Sequence, residues 1–277
     1  MKKMFALPVL LLFFFHGFTQ HYYNDIISTQ QSNNNYVLLK STNQSQVKGV
    51  SFESDNSQTP NFQLKQELSR DKKRLTTTTT SISNVTTTTV SHFENNRLRR
   101  TSDSLRGVSN ITDYEYNAEG KLSKITTQSI DPEHAGNTIE VHQWFYKQNG
   151  SPDHMLKIKN RTDTVKVEFL YDEKDNLAEE RWMKKNRLLE TYFYYYNDKK
   201  QLTDIVRFYS KSKKLLPDFI FEYDANGRVS QMMQTLQGTS TYLLWQYSYD
   251  ANGLKTKEVC YDKQRRLVGR IEYAYSK

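Results

Sequence analysis

The chain has 277 residues, of which 36% are apolar and 13% aromatic, with 19 Tyr, 10 Gly, 5 Pro and a single Cys. Its net charge is +8, from 39 Lys and Arg against 31 Asp and Glu. So little Gly and Pro excludes collagen-like and Pro/Gly-rich disordered chains, one Cys excludes a disulfide scaffold, and a mean hydropathy of −0.81 excludes a polytopic helical membrane protein.

The first residues read as an export signal. Lys2 and Lys3 precede an apolar run of 11 residues, Phe5 to Phe15. That run is too short to span a bilayer, which takes roughly 20 residues. Polar sequence begins at Thr19-Gln20-His21, so a secretory signal peptide is expected over residues 1–20. An uncleaved N-terminal anchor is the alternative. No Cys closely follows the apolar run, so a lipoprotein is not expected. The expected address is exported: periplasmic, outer-surface or secreted.

Residues 21–100 read as a polar, Thr-rich β segment with a weak boundary near 100. Tyr22 to Gln30 predicts one short helix. Val47, Val50 and Phe52 predict a strand, and Phe62 and Leu64 another. Two threonine runs, Thr76–Thr80 and Thr86–Thr89, flank Ser83-Asn84. β-Branched side chains favour strands, so this stretch predicts a Thr-lined hairpin. Phe93-Glu94-Asn95-Asn96-Arg97-Leu98 resembles a worn copy of the turns that follow it.

Residues 101–277 form the repeat domain. An aromatic-x-Tyr pair recurs at Tyr114/Tyr116, Trp144/Tyr146, Phe169/Tyr171, Tyr194/Tyr196, Phe221/Tyr223, Tyr247/Tyr249 and Tyr273/Tyr275, with its second tyrosines 25–30 residues apart. Flanking residues alternate polar and apolar, the period of a half-buried strand. Behind most pairs comes a turn such as Asp224-Ala225-Asn226-Gly227-Arg228, where Asn-Gly tolerates positive φ. Asp172-Glu173-Lys174-Asp175-Asn176 and Asn197-Asp198-Lys199-Lys200-Gln201 are copies without Gly. A second set of turns lies midway between the first. Strand-turn-strand with no helical insert predicts an all-β chain. Its expected form is a long antiparallel meander of hairpins, roughly 12–14 strands, making a curved or twisted sheet beside a small polar N-terminal segment.

Tyr223-Asp224-Ala225-Asn226-Gly227-Arg228-Val229 and Tyr249-Asp250-Ala251-Asn252-Gly253-Leu254 resemble the YD repeat of rearrangement-hotspot and teneurin-type proteins. Tyr116-Asn117-Ala118-Glu119-Gly120-Lys121-Leu122 is a weaker copy. The resemblance covers roughly residues 110–277 and implies a hollow β shell enclosing a toxin domain. About seven repeats with no effector domain behind them depart from that pattern, so the enclosing role is not expected here.

No catalytic, cofactor-binding or metal-binding motif emerges, and no enzyme is expected. His21, His92, His134, His142 and His154 read as scattered surface and strand histidines, though His142 should share a face with Trp144. Glu179-Glu180, beside Arg181, read as solvated. Cys260, in a strand-like segment, reads as a small buried residue.

Charge is unevenly placed. Five-residue windows on the second set of turns sum to +11, against −1 for the YD set. Successive turns of a meander fall at opposite ends, so Lys184, Lys185, Arg187, Lys211, Lys213, Lys214, Lys263, Arg265 and Arg266 are expected along one rim. A basic rim suits an anionic envelope component, a polysaccharide or another envelope protein; nucleic acid is disfavoured for an exported chain. The repeat tyrosines Tyr116, Tyr146, Tyr171, Tyr196, Tyr223, Tyr249 and Tyr275 are expected to anchor the hairpins. The functional expectation is a non-catalytic exported binding or scaffolding module at the bacterial cell envelope. The alternatives are a carbohydrate-binding module or enzyme accessory using the aromatic face, and a remnant of a polymorphic toxin system.

Overall fold

The computed structural model describes residues 20–105, 107–131, 137–209, 213–236, 239 and 241–277. The expected signal peptide, apart from Gln20, lies outside them, as do His134 and Lys211. The described chain opens with a π-helical segment, Tyr22–Ile27, that continues as α1, Ser28–Ser41. Eighteen strands follow among the described residues. They begin with β1 (Gln46–Glu53), β2 (Gln63–Leu68), β3 (Arg74–Thr80), β4 (Thr86–Glu94), β5 (Arg97–Leu105) and β6 (Val108–Tyr116). Next come β7 (Leu122–Ile130), β8 (Thr138–Tyr146), β9 (Pro152–Lys159), β10 (Asp163–Tyr171), β11 (Leu177–Lys184) and β12 (Arg187–Tyr196). The last are β13 (Leu202–Tyr209), β14 (Lys214–Tyr223), β15 (Val229–Thr235), β16 (Tyr242–Tyr249), β17 (Lys255–Tyr261) and β18 (Leu267–Ser276).

Every strand is antiparallel to the next, as the meander predicts. The sheet is not left open, however. β1 pairs with β2 on one edge and with β18 on the other, from Gln46 opposite Ser276 to Glu53 opposite Gly269. The curved sheet expected from sequence is therefore a closed 18-stranded barrel. Closure removes both free edges, each of which would expose a row of unpaired backbone groups. The strands before residue 100 belong to the same sheet as those after it. The threonine runs form the β3–β4 hairpin, with Thr77 opposite Thr89.

The repeat turns share one construction. In Asp224–Arg228, the Asp224 N–H donates to the Arg228 carbonyl and the Gly227 N–H to the Asp224 carbonyl. The Asp224 carboxylate accepts from the N–H groups of Asn226 and Arg228. Asn or Asp after the tyrosine is therefore the residue that closes the turn, except after Tyr146, where Lys147 follows and Asn149 Oδ1 accepts from the Ser151 N–H instead. The fourth position is left-handed, with Gly227 at φ 79°. Asp175 and Lys200 hold that position in the two Gly-free copies at φ 60° and 57°. The turn adds one residue and shifts register at the tyrosine, as at Glu222/Tyr223.

Alternation then sends the aromatic pairs inward. Tyr114, Trp144, Phe169, Tyr194 and Phe221 are buried in the lumen. The second tyrosines tie hairpin to hairpin. Tyr116, Tyr146, Tyr171, Tyr223, Tyr249 and Tyr275 donate their hydroxyls to the carbonyls of Leu98, Leu122, Pro152, Leu202, Val229 and Lys255. Tyr196 packs half-buried against the same core. Facing outward are opposite charges, such as Arg100 with Asp113 at 2.6 Å and Lys124 with Glu115 at 2.8 Å, both pairs in cross-strand register.

A barrel of 16–18 strands is wide enough for an aqueous channel. Here the helix occupies the lumen. Tyr22 packs on Phe169 and Tyr194, and Tyr23 on Phe219 and Phe221. Farther along, Tyr36 stacks on Phe93 at 4.0 Å, and the Asn33 side chain accepts the Leu98 N–H at 2.7 Å. The short helix expected over Tyr22–Gln30 thus runs on to Ser41, because the wall supplies the contacts that local sequence lacks.

Candidate functional site

Chemistry-bearing side chains gather in two places, the middle of the lumen and one rim. In the lumen the helix begins against a carboxylate. Glu180 on β11 is fully buried. It accepts hydrogen bonds from the backbone N–H groups of His21 at 2.8 Å and Tyr22 at 3.1 Å. It also accepts from the Trp182 indole at 2.8 Å and the Tyr194 hydroxyl at 2.6 Å. No neighbouring side chain caps the helix start. Glu180 does so from across the fold, satisfying two orphan donors at the positive end of the helix dipole. Burial pushes its carboxyl up, and the four donors oppose that rise.

One turn on, Asp25 meets β8. Its Oδ2 accepts from Trp144 Nε1 at 3.1 Å and lies 2.7 Å from His142 Nδ1. His142 Nε2 lies 3.0 Å from Glu140 Oε1, which Lys157 Nζ also reaches at 3.1 Å. Burial opposes charge on His142, but Asp25 and Glu140 outweigh it and raise the imidazole to about 9. Burial opposes charge on Glu140 too, yet His142 and Lys157 bring it down to about 2. His21 moves the other way. Burial, then the charges of His142 and Lys157, hold it well below its ordinary value. It stacks on Trp182 at 4.4 Å and meets His142 edge-on at 4.6 Å. Among the described residues, His21, Asp25 and His142 bring donor atoms within 4.8 Å of one another, the set that could hold a metal ion.

Just before the helix, Gln20 Nε2 donates to Asp218 Oδ2, and Arg207 Nη2 lies 3.2 Å from the other carboxylate oxygen. Asp218 points inward because of a bulge. Ile205 faces Phe219 and Val206 faces Pro217, which leaves Asp218 as the extra residue. Burial pushes its carboxyl up to about 6 despite Arg207.

Two readings from sequence are corrected here. Glu180 is not solvated, because it lies two residues from the inward Trp182 and so shares its face. His21 and His142 are not scattered, since the helix carries one onto the wall beside the other. His154 does lie outside, 2.7 Å from Asp153 and stacked on Phe145. Cys260 is buried and free, with burial pushing its thiol up to about 12.

The basic turns join odd-numbered strands to even-numbered ones, and the barrel's alternation puts them on one rim opposite the YD turns. Lys185, Arg187, Lys213, Lys214, Lys263 and Arg265 are exposed there. Lys184 pairs with Asp163 at 2.6 Å and Arg266 with Asp262 at 2.7 Å. Next to the β11–β12 and β13–β14 turns stand exposed apolar side chains that sequence reading did not single out. Leu188 is 52% exposed, Leu189 44%, Phe208 41% and Leu215 51%.

No protein-family model matches the chain, and neither does any curated protein. Solved structures similar in part include a TcdB2-TccC3 structure without its hypervariable C-terminal region, at 13% identity and TM-score 0.35 over 78% of this chain. This chain spans 12% of the length of that one. A porin-like protein from Bacteroides uniformis is similar at 10% identity and TM-score 0.39, over 84% of this chain and 98% of that one. A porin-like protein from Bacteroides vulgatus is similar at 9% identity and TM-score 0.30. Likenesses this weak assign neither family nor function.

Proposed function

We propose that the chain is a non-catalytic, exported binding or scaffolding protein of the bacterial cell envelope, a short closed form of YD-type repeat whose contact surface is its basic rim. The observation that carries this reading is the combination of exposed cations and exposed leucines at the neighbouring turns of β11–β12 and β13–β14. The rest of the surface offers less. The aromatic face is committed to the lumen core and to the helix, so it presents no open platform for stacking on sugar rings. On β5–β8 the outer wall carries ion pairs in cross-strand register. A barrel filled by its own helix makes its contacts through its rims and outer wall, and the cations gather at one rim.

The partner is an anionic envelope component, acidic polysaccharide or lipid headgroup. Retention of the mature chain on immobilised acidic polysaccharide and on anionic vesicles tests this. Replacing Lys184, Lys185, Lys213, Lys214, Arg265 and Arg266 by Gln should reduce retention and flatten its salt dependence. Equal binding by variant and parent, or no binding by the parent, would remove the rim from the account.

A further inference from the structure

We propose that His21, Asp25 and His142 form a zinc-type transition-metal site inside the barrel, fastening the start of the helix to β8. Their donor atoms already lie within 4.8 Å of one another. Two imidazole nitrogens and a carboxylate oxygen are a ligand set that zinc takes, with a fourth position left for water.

The surroundings match what such ligands need. Metal-bound histidines donate their other ring N–H to a carboxylate, which fixes the tautomer. Glu140 Oε1 stands 3.0 Å from His142 Nε2, leaving Nδ1 to face the ion. Asp25 is aimed by the Trp144 indole N–H at 3.1 Å. His21 is clamped by its stack on Trp182, and it shares a helix face with Asp25, four residues on. His21 is 4% exposed, and its Nε2 is buried with no hydrogen-bond partner among the described residues. A buried ring nitrogen without a partner is costly, and an ion would supply one.

A proton competes for the same place. His142 Nδ1 and Asp25 Oδ2 are 2.7 Å apart, a hydrogen-bonding distance. Bonds of about 2.0–2.1 Å at tetrahedral angles put two ligand atoms about 3.3 Å apart. Metal uptake therefore releases the Nδ1 proton to solvent, widens this gap by about 0.6 Å and draws in the other ligand atoms, which lie up to 4.8 Å apart. The fold permits this, because Asp25 rides on the helix and His142 on the wall.

The test uses residues 20–277, so that His21 carries no free α-amine, stripped with chelator and dialysed separately against Zn²⁺ and Co²⁺. One ion per chain is expected, with the intense visible absorption of four- or five-coordinate cobalt and a rise in Tm that chelator reverses. His21→Ala and His142→Ala should each abolish the cobalt bands. Glu140→Gln should keep the bands and weaken affinity 10–100-fold. X-ray absorption of the zinc-loaded parent covers the case of variants that fail to fold, and should show two imidazoles and one carboxylate. No uptake by the parent, uptake undiminished in the His21→Ala/His142→Ala double variant, or a ligand shell without imidazole would overturn the site. None of these outcomes involves the basic rim.

Discussion

Arg161 follows Asn160 in the β9–β10 turn, and both are left-handed, at φ 66° and 50°. Two successive positive φ angles define the hairpin turn that Asn-Gly fills best, and an L side chain pays for that conformation. Arg161→Gly should stabilise the fold by about 0.5–1 kcal/mol, read from urea denaturation midpoints. Glu180 is the opposite case, a residue whose removal leaves four buried donors without an acceptor. Glu180→Ala should cost about 3–5 kcal/mol in the same measurement, and Glu180→Gln distinctly less, since an amide keeps one acceptor oxygen. The turn residues were legible in the sequence because Asx and Gly chemistry is local. Glu180 was legible only in part. Period 2 counted back from Trp182 puts it on the inner face, but its charge and its neighbour Arg181 point to solvent. What overrides them is the helix start, a partner that nothing near residue 180 announces.

At the scale of elements, hairpins and helix differ in how much of them the sequence carries. Each hairpin holds its own instructions: an alternating strand, an inward tyrosine and an Asx-led turn. The helix does not. α1 contains Asn33, Asn34 and Asn35 in succession, poor helix formers. Its polar side chains find partners on the wall instead, as Asn33 does at Leu98. A local reading accordingly stopped the helix too soon. The bulge in β14 was equally hidden, and it has a consequence in pH. Asp218 binds its proton more tightly folded, at about 6, than unfolded, at 3.8. Its contribution to stability is therefore full below 3.8 and lost as pH rises through about 6. The difference in stability between the parent and Asp218→Asn should shift against the parent by roughly 2 kcal/mol between pH 4 and pH 7. Denaturation curves across that range check it, and a pH-independent difference would show that Asp218 titrates normally.

For the whole molecule, the sequence carried the meander but not its closure. Thirteen strands, β6 to β18, match the count expected beyond residue 105. The pairing of β1 with β18 joins the two ends of the strand order, and no turn or motif marks it. The polar opening segment, expected as a Thr-rich β segment with only a weak boundary near 100, supplies both the strands that complete the ring and the helix that fills it. The composition follows from this plan. Tyrosine is abundant because each hairpin needs a side chain that packs in the lumen and still donates to a backbone carbonyl. The basic rim follows from sequence through alternation alone, whereas its exposed leucines became visible only with the strands in place.

The central claim is that the N-terminal helix is an integral filling of the barrel. Native-state hydrogen exchange of residues 20–277, read by mass spectrometry on peptides covering residues 21–41, tests it most directly. Amides in Tyr22–Ser41 should be protected to the level of β11 and β12, exchanging only when the barrel itself opens. Complete exchange of that segment while β11 and β12 stay protected would contradict it.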